Sequence, residues 1–313
     1  MYNLVTFSMP AFALLKADKY ELFALFLTLY IITITLNISL ITVISKNKSL
    51  HQPMNIFSCL LAANEIYGTT ALLPALLSNV LSRSKDISLA LCQTQLYAIH
   101  TYAITEFTVL AAMSYDRYMA ICFPLTYHTF MSKRVFRMIL LTWLYPLVAF
   151  FLVFALTIRL KICKNTIDKV YCLNYLLVQL SCTNTALENT VGLLSVALYT
   201  GPQLIMVIYS YVHILRICLK TFCKSKLKAL RTCIPHLLSL SNYSVGCFFE
   251  IAQGRINNTL SYQTKLFLAL YFLIFPPILN PVIYGLSIQV IRVSMLVHLT
   301  LNKYKYVHLS YYP

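Results

Sequence analysis

Seven stretches of twenty or more largely apolar residues dominate this 313-residue chain, at roughly 22–45, 55–82, 90–122, 137–158, 189–215, 230–252 and 266–286. A helix needs about 20 mostly apolar residues to cross ~30 Å of hydrocarbon. Lipid admits only segments that satisfy their backbone polar groups internally. The first, fifth and seventh stretches contain no Asp, Glu, Lys or Arg, whereas the sixth is the weakest, with Pro235 and His236 near its start and Glu250 near its end. The expected fold is therefore an all-α membrane protein, a seven-transmembrane helix bundle that makes one domain over 1–313.

Charged residues make up only 11% of the chain and hydrophobic ones 59%, against about a quarter charged in ordinary soluble domains. The net charge of +16 does not point to nucleic acid, because the basic residues form short clusters between long uncharged stretches rather than one basic face. The lipid bilayer is the expected partner. No small-residue cleavage site follows the first stretch, so it reads as an anchor that stays, preceded by a short tail, 1–21.

Seven crossings place the two ends on opposite sides. The segments after spans one, three and five, with the tail 287–313, hold fifteen of the 25 basic residues, among them Lys46, Arg117, Arg134 and Lys228, and Asp116 is the one acid there. The positive-inside tendency makes that side cytoplasmic and the amino terminus extracellular. Four of the ten cysteines, Cys92, Cys163, Cys172 and Cys182, fall on the opposite, oxidising side. They can make two bridges, in any of three pairings.

Ionisable and amide groups at bilayer depth are costly and mark function or helix-to-helix glue. Asn37, Glu65 and Glu106 are the candidates. They would cluster in the bundle interior around a cation such as Na+ or a shared proton, or each would hydrogen-bond a neighbouring helix; no other cofactor and no metal centre is expected. Asp116 and Arg117, followed by Tyr118, form a charge pair at the inner end of the third span, an arrangement suited to a switch. In the seventh span Pro281 frees a carbonyl one turn back, beside Asn280 and three residues before Tyr284, which makes a bendable joint or a static kink.

Taken together these residues resemble the rhodopsin-like G-protein-coupled receptors, and within them the odorant receptors, over nearly the whole chain. MSYDRYMAICFPLTYH, from Met113 to His128, is similar to the odorant receptor signature MAYDRYVAICxPLxY. Cys92, Gln95, His100 and Glu106 stand where that family has the same residue types. Further similar blocks are Pro53–Met54, Ser210–Tyr211, KALRTCIPHL from Lys228 to Leu237, and PPILNPVIYG from Pro276 to Gly285. Pro235 and the short outer segments look more like fish-type members. The chain departs from the pattern with Glu65 in place of Asp, with Tyr243, Ser244 and Val245 in place of FYG, and with GLSIQ after Tyr284. Its one sequon on the outer side is Asn257 with Thr259.

The resemblance implies bridges Cys92–Cys172 and Cys163–Cys182, and a short amphipathic helix after the seventh span. It implies a small-molecule odorant bound between the outer halves of spans three, five, six and seven. By position the contacts are Ile99, His100, Ala103, Ile104, Ser195, Tyr199, Cys247, Ile251 and Arg255. For His100 the alternative is a structural hydrogen bond, and for Arg255 a solvated loop charge; an inward Arg255 would favour acidic odorants. Coupling to a heterotrimeric G protein, of the stimulatory olfactory type that raises cyclic AMP, would run through Asp116, Arg117, Tyr118, Tyr211, Asn280, Pro281 and Tyr284, at the plasma membrane of sensory-neuron cilia. A non-olfactory rhodopsin-like receptor is the alternative within the class. A transporter would show repeated halves with interrupted helices, an intramembrane enzyme a motif such as GxSxG or HExxH, and neither is present.

Overall fold

The computed structural model describes residues 6–14, 18–220, 223–253 and 262–287. Seven long helices and one short one carry the fold among them: α1 Lys19–Lys46, α2 Pro53–Leu81, α3 Leu89–Cys122, α4 Tyr127–Thr157, the short α5 Asn174–Gln179, α6 Ala186–Lys220, α7 Cys223–Gln253 and α8 Tyr262–Ser287. The region of the expected amphipathic helix lies outside the described residues.

The helix starts have local causes. Asp18 caps α1 by accepting from the Tyr20 backbone N–H at 2.7 Å, Pro53 opens α2 where its missing N–H costs nothing, and Ser88 accepts from the Leu91 N–H at 3.3 Å to cap α3. Lys85 closes the far end of α2, its Nζ donating to the carbonyls of Asn79, Val80 and Ser82 at 2.6–3.0 Å, where a cation suits the helix C-terminus.

Burial is arranged for lipid. Leu141, Val148, Phe151 and Leu152 of α4 and Ile205, Ile208 and Leu219 of α6 face outward, while Asn37, Asn64, Glu65, Glu106 and Asn280 are buried. That reverses the rule of a soluble protein and fits a hydrocarbon solvent. By length and composition α1, α2, α4 and α6 are apolar enough to cross a membrane on their own. α3 is more polar because it stands in the middle, packed on α2, α4, α6 and α7, and its surface meets protein more than lipid.

One end of the bundle is tied shut. Strand β1, Thr6–Ser8, pairs antiparallel with β2, Asp86–Ser88, in the α2–α3 turn, in the register Phe7 to Ile87. Phe7, Met9 and Phe12 are buried beneath it. Ser8 also exchanges backbone hydrogen bonds with Asn165 and Ile167 of the α4–α6 loop. Cys92 is bonded to Cys172 and Cys163 to Cys182, with Cα separations of 5.4 and 5.5 Å. Gln95 Oε1 accepts the Cys172 N–H at 2.9 Å, so the loop lies down across the helix ends.

Candidate functional site

Beneath that loop lies a cavity of about 410 Å³ between α3, α4, α6 and α7, with α5 and α8 completing its wall. Small-molecule sites fall in this size range. Eight positions singled out from the sequence, Ile99, His100, Ala103, Ile104, Ser195, Tyr199, Cys247 and Ile251, line this one cavity. Arg255, like Asn257, lies outside the described residues. His100 both lines the cavity and makes a structural contact: Nδ1 meets the Leu96 carbonyl at 2.8 Å and the ring stacks on Phe150 at 4.4 Å.

Sequence reasoning missed a second half of the wall. Phe107 and Phe272 add apolar surface, and Asn174, Tyr175, Glu188 and Glu250 add polar groups. Asn174 is fixed by Thr157, whose hydroxyl donates to its Oδ1 at 2.6 Å. Glu250 pairs with Lys169 of the loop. The cysteines that pin the loop over α3 were the one signal that loop side chains belong to the cavity.

Below the cavity is a buried hydrogen-bond network around two glutamates. Asn280 donates to Glu65 Oε1 at 2.5 Å and to Glu106 Oε1 at 2.9 Å. Tyr102 donates to Glu65 Oε2, and Asn64 to Glu106 Oε2, both at 2.9 Å. Ser239 of α7 donates to Asn280 Oδ1 at 2.7 Å. Every carboxylate oxygen of the pair thus accepts a bond, and four helices are joined. Gly68 makes room for it: a Cβ there would stand 2.3 Å from the Tyr102 ring.

Asn37 does not join this cluster; of the two arrangements the sequence left open, it takes the second and hydrogen-bonds a neighbouring helix. Its Nδ2 donates to the Pro277 carbonyl at 2.8 Å, one helical turn before Pro281. Pro281 has no N–H to offer that carbonyl, and α1 supplies the replacement. Likewise the Phe272 carbonyl, freed by Pro276, receives the Tyr102 hydroxyl at 3.4 Å. The proline-broken helix is held by cross-helix donors. Among the described residues, no group of three or more His, Cys, Asp or Glu is placed to hold a metal ion.

At the opposite end Arg117 donates twice to Asp116 Oδ2, at 2.6 and 3.1 Å, and Tyr127 donates to Asp116 Oδ1 at 2.7 Å. Tyr118 packs edge-on against Phe123, Tyr209 and His213, with centroids 5.6–5.7 Å apart. His236, which the sequence showed only as a polar flaw in the sixth span, is buried and bridges three helices. Its Nε2 meets the Leu110 carbonyl at 2.8 Å, so that nitrogen carries the hydrogen, and its Nδ1 accepts from the Tyr211 hydroxyl. Tyr284 is buried with its hydroxyl 3.9 Å from Met113 Sδ.

A bundle of seven membrane helices with a roofed cavity at one end, a polar core and an ion-paired arginine at the other has the plan of a membrane receptor. The family model described as olfactory receptor matches residues 26–303. Olfactory receptor 8J1 of Homo sapiens is 34% identical over 278 residues, covering 88% of this chain and 87% of that protein. Olfactory receptor 5M5 of Mus musculus is 34% identical over 268 residues, covering 85% and 84%. The chain belongs to the olfactory receptor family; it is a multi-pass plasma-membrane G-protein-coupled receptor and not an enzyme.

Proposed function

We propose that this receptor binds a small odorant in the roofed cavity and answers by activating a heterotrimeric G protein at the Asp116–Arg117 end. The observation that carries the assignment of the site is the convergence of Ile99, His100, Ser195, Tyr199 and Cys247, from three helices, on one enclosed space. An odorant shifts the bundle only by its difference in affinity for the resting and active arrangements. The cavity sits directly above Tyr243, whose hydroxyl reaches the Ala103 carbonyl at 3.2 Å, and above the Glu65–Asn280 network. Movement of α7 relative to α3 is therefore felt in that network. At the far end it strains the His236 bridge, and release of Arg117 opens a floor for the carboxy-terminal helix of the G-protein α subunit. With all four oxygens engaged, we assign Glu65 and Glu106 to helix coupling rather than to a sodium ion.

The amino terminus is outside and the carboxy terminus cytoplasmic in this reading. Its support is that the tail strand and both disulfides share one end, which suits an oxidising compartment. We place the receptor in sensory cilia, coupled to the stimulatory olfactory G protein. The test is a panel of odorants applied to cells displaying the amino-terminally tagged chain. Cyclic AMP should rise with at least one odorant in unpermeabilised, tag-positive cells. A surface-displayed chain silent to the whole panel contradicts the proposal.

A further inference from the structure

The hydrogen-bonding inventory of the cavity is lopsided. Three of its four hydroxyls are spent on backbone: Ser195 donates to the Gly192 carbonyl, Tyr199 to that of Ala149 and Thr200 to that of Val196, each at 2.7 Å. His100 turns Nδ1 to the Leu96 carbonyl, which places the hydrogen there and leaves Nε2 as a lone pair. The acids are the reverse case. Glu188 Oε2 and Glu250 Oε2 are both buried and have no hydrogen-bond partner, and Glu250 is only 7% exposed. Among the described residues the donors left on the wall are neutral ones, the side-chain amides of Asn174, Gln179 and Asn189 and the Tyr175 hydroxyl, and no Lys or Arg lines the space.

Charge points the same way. The Glu250 carboxylate is matched by Lys169, whereas Glu188 has no ion pair with another described residue. Glu188 lies in the first turn of α6. An unpartnered carboxylate oxygen in a largely apolar cavity is costly until a donor arrives, and a charged donor compensates it best. The protein already holds one ammonium beside this wall: Lys169 Nζ pairs with Glu250 and lies 5.7 and 5.8 Å from the Tyr171 and Tyr175 ring centroids. Ring faces attract cations at that range.

We infer that the cavity selects small organic amines in their protonated form, the ammonium donating to the open oxygens of Glu188 and Glu250 while the hydrocarbon part lies against Ile104, Phe107 and Phe272. The inference rests on the odorant-receptor reading above and narrows its ligand class. It is opposite to the acidic preference that an inward Arg255 would give.

The test compares a straight-chain primary amine with the alcohol and the carboxylic acid of the same chain length, on the full-length receptor in cells, with surface display measured by tag. The unaltered chain should respond to the amine at a concentration at least about tenfold lower than to either analogue, as expected for a charge-assisted bond. Glu188→Gln and Glu250→Gln should each weaken the amine response by about tenfold and any alcohol response by less. An acid or alcohol as potent as the amine on the unaltered chain overturns the amine assignment and leaves the odorant-receptor reading standing. So does an amine response unchanged in a Glu188→Gln/Glu250→Gln double variant. Silence of the displayed chain to all odorant classes overturns both. The ranking on the unaltered chain needs no variant to fold.

Discussion

Two pairs of glutamates sit in this bundle on different terms. Glu65 and Glu106, at its centre, have all four carboxylate oxygens engaged by Asn280, Tyr102 and Asn64. Glu188 and Glu250, at the cavity wall, each keep one buried oxygen without a donor. The first pair is complete within the fold and ties α2, α3 and α8 together. The second is completed only by something that enters. In lipid, where no water fills the gap, this difference separates acids that hold the helices from acids that recognise a ligand.

The sharpest way to break the contrast is to remove one acid from each pair. Glu65→Ala strands an Asn280 N–H at a cost of about 1–3 kcal/mol and leaves the Tyr102 hydroxyl only its longer bond to the Phe272 carbonyl. Its thermal midpoint in detergent and its surface display should fall steeply, while Glu188→Ala should stay within about 0.5 kcal/mol of the parent. Equal losses in the two variants would erase the distinction.

A smaller effect sharpens the role of the broken helix. Asn37→Ala should cost about 1–3 kcal/mol by orphaning the Pro277 carbonyl. Adding Pro281→Ala supplies a backbone N–H to that same carbonyl, so the double variant should recover at least about 1 kcal/mol relative to additivity. Strict additivity in thermal unfolding would show that Asn37 does not stand in for the missing helix bond.

Smaller still in stability, but visible in signalling, is the charged end. Asp116→Asn should raise ligand-independent cyclic AMP severalfold by loosening Arg117. Tyr127→Phe, which removes one bond of about 1 kcal/mol to the same carboxylate, should raise it less. Normal surface display with no rise in either variant would sever the resting-state restraint from Asp116.

Much of this was legible in the sequence because lipid imposes a long-range rule on local composition. Uncharged runs such as 22–45 and 189–215 announce helices without any knowledge of their neighbours, and Asp116–Arg117 announces itself as an adjacent pair. What stayed hidden was set by distant partners. The sequence left Asn37 either in the acid cluster or bonded to a neighbouring helix, and only the fold shows its partner, a carbonyl 240 residues away exposed by a proline in another helix. Strand β1 is three residues long, too short for any alternation to stand out, and it forms because Phe7 and Met9 find cover beneath the loop. Glu188 reads as an ordinary acid opening a helix. Its open oxygen appears only once α5 and the disulfide-tethered loop close over it.

The central claim is that chemistry entering the roofed cavity is read out at Arg117, and guanine-nucleotide exchange measures it most directly. With the purified chain in lipid and a stimulatory heterotrimeric G protein, a straight-chain primary amine should accelerate exchange on the α subunit, and Arg117→Ala should abolish the acceleration while leaving amine binding intact. Exchange that no odorant accelerates, or that proceeds as fast without Arg117, would contradict it.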